Sequence, residues 1–549
     1  MRLPLLAAVL LCPILTFAQA APPSASTPGE ELTLPSGFKA ELLRSASKEE
    51  GSWICMAIDA KGRLYISPQG KPEGAGMKKG DAWGGLWRAT LDAQGHIAQW
   101  EKVPVPVGDA MGMLWAFDSL YVSGEGPEGR GIYRLKASML SDTLNSWTLF
   151  KKVPGGNGEH GAHALALGPD GKSLYIVHGN ATPLIEGTAP DSPYRNYAED
   201  DLLPRVKDPV ATFFDKVKSP YGYILKTDEN GTKWELVAGG FRNPYDIAFN
   251  ADGELFTYDS DMEWDVGLPW YRPTRILHII PGGEYGFREG TSKWPASYAD
   301  SLPPVVNIGL GCPTGVEFGT ASNFPPRYRS AFFILDWTFG RILAVHMHLK
   351  DASYTAQNDV PPYHLASPLK SDDVEEFLRG KGMPVTALVF GKDGAMYFTV
   401  GGRGTQAALY RVSWTGAADK APQITTGTPT EEIYAREGRE LRRELEAAQA
   451  KANPNVWRKL PNGKDLLWWG LGDRDREIRA AARIALENLP VPEWRDRTLA
   501  EKDAQTSHRS PGPRPRRHQR RSGSHPPGPR KIPARFARRR TEAGQAPRH

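Results

Sequence analysis

Two histidines lie in a glycine-rich stretch of this 549-residue chain, where their side chains could take part in proton transfer. They are His160 and His163, within segment 158–171, directly before an apolar run that predicts a β-strand. A neutral imidazole, whose unperturbed pKa is about 6.5, can act as a general base near pH 7. The alternative is that one or both rings only form hydrogen bonds within their own loop.

An arginine and an asparagine occupy the corresponding position before the next predicted hairpin, in the triplet Arg242, Asn243 and Pro244. A guanidinium is a planar fork of donors that suits carboxylates and quinone oxygens, and the amide adds a donor and an acceptor. Arg242 and Asn243 are therefore candidate ligand-binding residues. The alternative is a structural salt bridge between Arg242 and an acid further along the chain.

Four carboxylates alternate directly after that hairpin: Asp259, Asp261, Glu263 and Asp265. On an extended segment all four would lie on one face, where their mutual repulsion requires a neutralising cation. Hard oxygen ligands of this kind suit Ca²⁺, which makes the run a candidate metal site. Arg272 and Arg275 follow closely, so a network of acids and arginines without metal explains the pattern equally well.

A recurring hairpin must position these side chains. In its fullest copy a short alternating strand around Ile247 reaches the turn Asp252-Gly253, and a second strand follows, which is a strong hairpin signal. Six copies can be traced, at residues 54–67, 113–123, 163–178, 247–258, 315–345 and 385–400. Radially repeated hairpins with flanking strands predict an all-β fold, a six-bladed β-propeller, over residues 34–414. A pair of β-sandwiches is the less favoured alternative.

The two ends of the chain have compositions unlike the middle. Residues 1–20 predict a secretory signal peptide that is cleaved near Ala20, so we expect an exported protein with a flexible leader at 21–33. No other stretch is long and apolar enough to predict a transmembrane segment. After a linker at 415–430, residues 431–505 predict a short α-helical module, with one helix over 473–489 capped by Asp473.

The arginine- and proline-rich tail at 506–549 predicts disorder. Segment 508–549 has twelve arginines, one lysine and one glutamate, which accounts for more than the whole net charge of +5 and leaves the rest mildly acidic. Such a tail is either an arginine-rich arm for nucleic acid or anionic surfaces, or the product of a reading-frame change. We favour the second interpretation and expect no nucleic-acid partner, because an exported propeller has little use for such an arm.

Cysteine usage limits the cofactor chemistry. The chain has no Cys-x-x-Cys-His motif, so no c-type haem is expected to attach covalently to it. Once Cys12 leaves with the signal peptide, Cys55 and Cys312 remain and could pair in an oxidising compartment.

The propeller region resembles the soluble glucose/sorbosone dehydrogenases. The likeness is carried by His160, eight positions before Gly168, and by Phe-Arg-Asn-Pro at 241–244, Ile-Pro-Gly-Gly-Glu-Tyr-Gly-Phe at 280–287, Pro-Thr-Gly-Val-Glu-Phe at 313–318 and Phe-Pro-Pro-Arg-Tyr-Arg-Ser-Ala-Phe-Phe at 324–333. The resemblance implies a six-bladed propeller that binds pyrroloquinoline quinone and Ca²⁺ and oxidises sugars. It implies that His160 is the general base, with Arg242 and Asn243 contacting cofactor and substrate. His163 has no counterpart in the family pattern and is a further candidate cofactor-binding residue.

The chain departs from the family pattern in two places that bear on cofactor binding. Where the family has an arginine pair that holds the carboxylates of the quinone, this chain has Gly-Met-Pro-Val-Thr at 382–386. Arg341 or Arg403 would then have to supply the missing positive charge. The acidic run from Asp259 likewise stands in place of the family's calcium loop.

A second resemblance covers more of the chain. Segments 259–265, 269–275 and 479–487 are similar to secreted bacterial propeller proteins labelled membrane-bound dehydrogenases. In those proteins HEAT-like helical repeats and a c-type (PVC-type) haem domain follow the propeller. This likeness implies that residues 431–505 are a HEAT-like fragment and that an electron-accepting cytochrome is a possible partner.

Two functions are consistent with these patterns. The first is an exported quinoprotein-like dehydrogenase, which oxidises a small sugar or related alcohol with His160 as base. The second is a non-catalytic propeller that binds carbohydrate or a protein partner through the same channel, as the missing arginine pair would suggest.

Overall fold

The computed structural model describes most of the chain as antiparallel sheet followed by a group of helices. The described residues are 26–69, 85–138, 142–155, 160–197, 218–262, 271–288, 292–294, 298, 301–358, 371–416, 429–449, 457–460 and 463–502. The predicted signal peptide and tail lie outside these ranges, as does most of the predicted linker. None of the helices within them combines the length and apolar character needed to cross a membrane.

The strands form six four-stranded sheets, which we number as blades 1 to 6. The first strand of the chain, β1 (Phe38–Ser45), belongs to the last blade. Blade 1 consists of β2 (Ser52–Ile58), β3 (Leu64–Gln69), β4 (Leu86–Leu91) and β5 (Ile97–Val103). Blade 2 consists of β6 (Gly108–Ala116), β7 (Ser119–Gly126), β8 (Gly129–Ala137) and β9 (Leu144–Lys152). Blade 3 consists of β10 (Ala162–Leu167), β11 (Ser173–His178), β12 (Gly222–Asp228) and β13 (Glu235–Phe241).

Blades 4 and 5 carry short insertions. Blade 4 contains β14 (Ile247–Phe249), β15 (Leu255–Asp259) and β16 (Thr274–Ile279), then the separate hairpin β17 (Phe287–Arg288) and β18 (Ser292–Lys293), and its outer strand β19 (Val306–Gly309). Blade 5 contains β20 (Pro313–Phe318), the helical turn α1 (Pro326–Arg329), β21 (Phe332–Asp336) and β22 (Arg341–Val345), then the hairpin β23 (His348–Lys350) and β24 (Ser353–Thr355), and β25 (Val374–Arg379). Blade 6 contains β26 (Val385–Phe390), β27 (Met396–Val400) and β28 (Ala408–Trp414), with β1 outermost.

The six blades close into a ring, which confirms the predicted six-bladed β-propeller. The innermost strands β2, β6, β10, β14, β20 and β26 each contact the next, and β26 contacts β2. In blade 6, β1 pairs with β28 so that Phe38 lies opposite Trp414. The first strand of the propeller thus completes its last blade, and the ring is closed by hydrogen bonds between chain-distant segments.

Local sequence explains the hairpins, and packing between blades explains the ring. Gly253 adopts a φ of 76° in the predicted Asp252-Gly253 turn, a conformation that costs glycine little. On the innermost strand of blade 2, a Cβ at Gly112 would overlap the backbone of Ala164 on β10. The inner strands approach one another closely because a glycine stands at this contact.

Helices follow the propeller: α2 (Pro429–Ala447), α3 (Leu466–Leu471), α4 (Arg476–Glu487) and α5 (Val491–Ala500). Helix α2 is attached to blade 4 by Arg442, whose buried guanidinium lies 2.6 Å from the Glu254 carboxylate. Helix α4 confirms the helix predicted over 473–489, but Asp475, not Asp473, caps it by accepting the Ile478 N–H at 2.8 Å. Asp473 instead accepts the N–H of Asp475 at 2.7 Å, because the helix begins later than the sequence pattern suggests. The likeness of this module to HEAT repeats stays a prediction.

Candidate active site at one mouth of the channel

A cavity of about 450 Å³ opens at the end of the central channel where the innermost strands begin. Its wall includes the candidate residues His160, Arg242, Asn243 and Asp261. These side chains are far apart in sequence and come together because the loops that enter successive inner strands of a propeller meet around one axis.

His160 stands two residues before β10 and is 8% exposed. Its Nδ1 lies 2.6 Å from Oδ1 of Asn180. An amide oxygen can only accept, so Nδ1 carries the hydrogen and Nε2 keeps its lone pair. Burial lowers the pKa of His160 to about 3, with a further contribution from the Arg242 guanidinium. The ring is therefore neutral near pH 7, as a general base must be before it accepts a proton.

Asn180 was not identified from the sequence, yet its segment joins the two predicted loops. The Asn180 N–H donates to the Arg242 carbonyl at 2.9 Å, and the Ala181 N–H donates to the His160 carbonyl at 3.0 Å. A Cβ at Gly179 would overlap both the His160 backbone and the Asn243 side chain. A usable signal was the Gly-Asn pair after β11, because antiparallel pairing places that strand's end beside the start of β10.

Arg242 and Asn243 are oriented by the buried Asp259. The carboxylate of Asp259 accepts the backbone N–H groups of Arg242 at 3.1 Å and Asn243 at 2.9 Å. The guanidinium of Arg242 donates to the Ser260 hydroxyl at 3.1 Å. The strand that follows the hairpin thus holds the backbone of the loop that precedes it, and both side chains line the cavity.

The acidic run divides into two parts. Asp259 is 0% exposed and pairs with Arg275 at 3.1 Å, which is the predicted acid and arginine network. Asp261 lines the cavity, whereas Glu263 and Asp265 lie outside the described residues. Over the described ranges, no group of three or more His, Cys, Asp or Glu side chains is arranged to hold a metal ion. Arg275 neutralises Asp259, so of the four predicted ligands only Asp261 is a described carboxylate at the cavity, and the Ca²⁺ site stays a prediction.

Two predicted cofactor residues lie outside the cavity lining. His163 is fully buried one residue inside β10, and its Nδ1 lies 2.9 Å from the Pro244 carbonyl oxygen. Arg341 stands directly opposite Asp336 in the β21–β22 pair and bonds to it at 2.9 Å. His163 supports the loop that carries Arg242, and Arg341 supports the cavity wall through its strand partner.

Two residues complete the wall on the other side. Arg403, which follows β27, lines the cavity, and its guanidinium carbon lies 4.9 Å from the centre of the Trp337 ring. Cys312 lines the cavity as well and does not form a disulfide with the buried Cys55. Of the two arginines that the sequence suggested for the missing positive charge, Arg403 is the one at the cavity.

A second cavity, of about 380 Å³, opens at the opposite mouth, where the innermost strands end. Most of its lining residues are apolar in type, and the wall also contains Asp246 and Glu317. Burial raises the pKa of Asp246 to about 7, and burial together with the Asp246 charge raises the pKa of Glu317 to about 8. Asp246 accepts the N–H of Val316 from the next blade at 3.0 Å.

No protein-family model and no curated protein matches the chain. Solved structures do resemble it. The PQQ-bound aldose sugar dehydrogenase from Streptomyces coelicolor is 15% identical, with 69% of this chain and 100% of that chain covered and a TM-score of 0.44. The apo soluble aldose sugar dehydrogenase from Escherichia coli is 16% identical, with 69% and 99% covered and a TM-score of 0.43. The holo PQQ domain of pyranose dehydrogenase from Coprinopsis cinerea is 11% identical, with 71% and 99% covered and a TM-score of 0.47. Similarities of this size assign no activity to the chain.

Proposed function

We propose that the chain is an exported, quinone-dependent dehydrogenase that oxidises a sugar or related alcohol at the first cavity. The observation that carries the proposal is the neutral His160, whose Nδ1 is bonded to Asn180 while Arg242 lines the same cavity. A base and a fixed positive charge at one mouth are the two groups that removal of a hydroxyl proton requires.

Three residues of this chain have separate roles in the proposed reaction. His160 Nε2 accepts the hydroxyl proton of the substrate, and Asn180 keeps the ring in the tautomer that can do so. The Arg242 guanidinium stabilises the negative charge that develops on the substrate oxygen, since it lies near His160 and is held by Ser260. Removal of the proton makes the carbon a better hydride donor, so these groups prepare the substrate for oxidation.

Pyrroloquinoline quinone fits the donor set of this cavity, with the Arg242 guanidinium and the Asn243 amide as the groups that would hold its oxygens. When bound, the quinone supplies the acceptor for the hydride. The described residues do not form a calcium site, so no role is assigned to Ca²⁺. A cytochrome is the proposed final electron acceptor.

Reconstitution tests this proposal. The protein is incubated with pyrroloquinoline quinone, with and without Ca²⁺, and dye reduction is measured with aldoses and simple polyols. We expect quinone-dependent dye reduction with at least one sugar and none in the absence of quinone. Failure to bind the quinone in absorbance titrations, together with no turnover, would refute the proposal.

The second candidate is a propeller that binds carbohydrate or a protein partner without turnover. The absence of any basic residue in segment 382–386 favours it. It predicts ligand binding at the same cavity with no dye reduction under any cofactor condition. Calorimetric titration with the same sugars distinguishes the two functions.

A further inference from the structure

His178 is a buried histidine that the proposed reaction does not use. It ends β11 in blade 3 and is 0% exposed. Among the described residues, neither of its ring nitrogens has a hydrogen-bond partner. Burial lowers its pKa to about 3, with smaller contributions from His163 and Arg130, so the ring is neutral near pH 7. A neutral imidazole has one N–H to donate and one lone pair to accept, and both are unpaired within the described part of the chain.

Blade 2 contains two further buried polar groups of this kind. Over the described ranges, Oγ of Ser123 on β7 and Nη2 of Arg130 on β8 have no hydrogen-bond partner either. The two residues stand on one face of blade 2, because Ser123 lies opposite Ile132, and Arg130 is two positions from Ile132 along its strand. The Nε–H of Arg130 donates to the Glu125 carboxylate at 3.2 Å, so the charge of this guanidinium is already paired.

These groups lie on the facing sides of blades 2 and 3, and we call the contact between the two faces the seam. Ile132 and Ile176 belong to one buried cluster between the blades, and His178 shares a strand face with Ile176, two positions away. The inner strands approach closely here: a Cβ at Gly112, which lies opposite Ser123, would overlap the backbone of β10. The unpaired groups of both blades therefore lie in this seam, at the end where β10 begins.

We infer that the seam binds water, at a site formed by the His178 ring, the Ser123 hydroxyl and Nη2 of Arg130. A buried polar atom without a partner is costly, and folded proteins usually satisfy such atoms with buried water, which makes about three hydrogen bonds. Water fits this set because it both donates and accepts, as a neutral imidazole and a hydroxyl require. An anion fits less well, because it cannot donate to the imidazole lone pair and Arg130 already pairs with Glu125.

The water site goes beyond the proposed function and does not depend on it. None of its three residues lines the first cavity. Its role is to join two blades through hydrogen bonds where their side chains do not bond directly. It should therefore be present whether or not the protein turns over a sugar.

A crystal structure of the full chain that shows ordered water tests the inference directly. We expect an electron-density peak within about 2.7–3.2 Å of a ring nitrogen of His178 and of either Ser123 Oγ or Arg130 Nη2. Soaking the crystals in bromide distinguishes an anion from water, because bromide gives an anomalous signal and water does not. No peak in the seam, or a peak that bromide replaces, would overturn the inference.

Unfolding measurements test the site in solution. With water in the seam, His178→Phe leaves the other groups unsatisfied, so the unfolding equilibrium constant should rise by about 10-fold or more. In a dry seam the same change removes two unpaired nitrogens and should lower that constant. Ser123→Ala is a milder variant that keeps the test valid if His178→Phe does not fold, and it should raise the constant by about 3- to 10-fold.

The matched control is His96→Phe, the same replacement at a histidine whose side chain is 54% exposed. It should leave the unfolding equilibrium constant unchanged, because water already surrounds that ring. An unchanged or lower constant in Ser123→Ala, or a lower constant in His178→Phe, would overturn the water site.

Discussion

The two mouths of the propeller channel are built by the same six inner strands but have different electrostatics. At the first mouth, burial and Arg242 lower the pKa of His160, and at the second, burial raises the pKa of Asp246 and Glu317. Burial therefore drives the titratable groups at both ends toward their neutral forms. Among the described lining residues, guanidiniums occur at the first mouth, as Arg242 and Arg403, and the second mouth has none.

The difference follows from how each mouth is made. The first mouth is formed by loops that enter the inner strands, and loops can present long polar side chains held by their neighbours. The second is formed by the ends of the strands, whose inward residues are mostly apolar. One end of the channel therefore presents guanidinium groups, and the other presents two carboxyls among mostly apolar residues.

The largest expected effect is the loss of turnover when the histidine at the first mouth is replaced. His160→Gln should lower quinone-dependent turnover by about 10²- to 10⁴-fold, the usual contribution of a general base. The control is His348→Gln, at a half-exposed histidine of strand β23 that lines neither cavity. Dye-reduction kinetics measure the effect. Protection of the cavity thiol Cys312 from alkylation by bound quinone checks that ligand binding persists. Full activity of the His160 variant would show that the first mouth is not the catalytic site.

A second comparison concerns stability. Asp259→Ala leaves Arg275 buried without its partner and frees two backbone amides, so unfolding free energy should fall by about 3–5 kcal/mol. Asp246→Asn removes a carboxyl whose raised pKa already costs stability at pH 7, so this variant should lose no stability there. Urea unfolding monitored by tryptophan fluorescence measures both. Equal losses of unfolding free energy in the two variants would mean that stability depends on an ionised carboxylate at both mouths.

A third prediction tests how the base is positioned. Asn180→Ala removes the acceptor for His160 Nδ1–H, and turnover should fall by about 10-fold, with the sugar KM changing little. Asn180→Asp provides an acceptor again and, as an anion, should raise the pKa of His160. The acidic limb of the pH–activity profile should then move to higher pH. An unchanged profile in both variants would show that Asn180 has only a structural role.

The smallest effects are the pH dependences of stability, which have opposite signs at the two mouths. The folded pKa of His160 is below its ordinary value, so the protein loses stability as pH falls from about 6.5 toward 3, by at most about 1.4 kcal/mol per pH unit. The folded pKa values of Asp246 and Glu317 are raised, so they are protonated in both states below pH 4. Their cost to stability appears as pH rises from about 4 to 8, because the unfolded chain then releases protons that the folded chain keeps.

Denaturant unfolding across this pH range measures both trends. Relative to wild type, the Asp246→Asn, Glu317→Gln double variant should gain stability as pH rises from 4 to 8. His160→Gln should gain relative to wild type as pH falls from 6 to 4. If both variants gained stability over wild type in the same pH direction, the pKa shifts at one of the mouths would be contradicted.

The hairpins could be predicted because their determinants are local. The turn at Asp252-Gly253 and the alternation around Ile247 depend on neighbouring residues, so they were visible in the sequence and are found in β14 and β15. Repetition of such hairpins was enough to predict the propeller. The same reasoning located His160, Arg242 and Asn243 at loops that enter inner strands, and these three residues line the cavity.

By itself, the sequence determined the blades and the loops from which a site could be built. Only the tertiary structure decided which side chains reach the cavity. His163 is one residue too deep in β10, and Arg341 is held by Asp336 across its own hairpin, whereas Asn180 and Arg403 reach the site from other blade segments. Ring closure brings distant loops together, and the distances between such loops have no counterpart in local sequence spacing. The physical reason is that turn and strand preferences act between neighbours, while the cavity is defined by packing among blades.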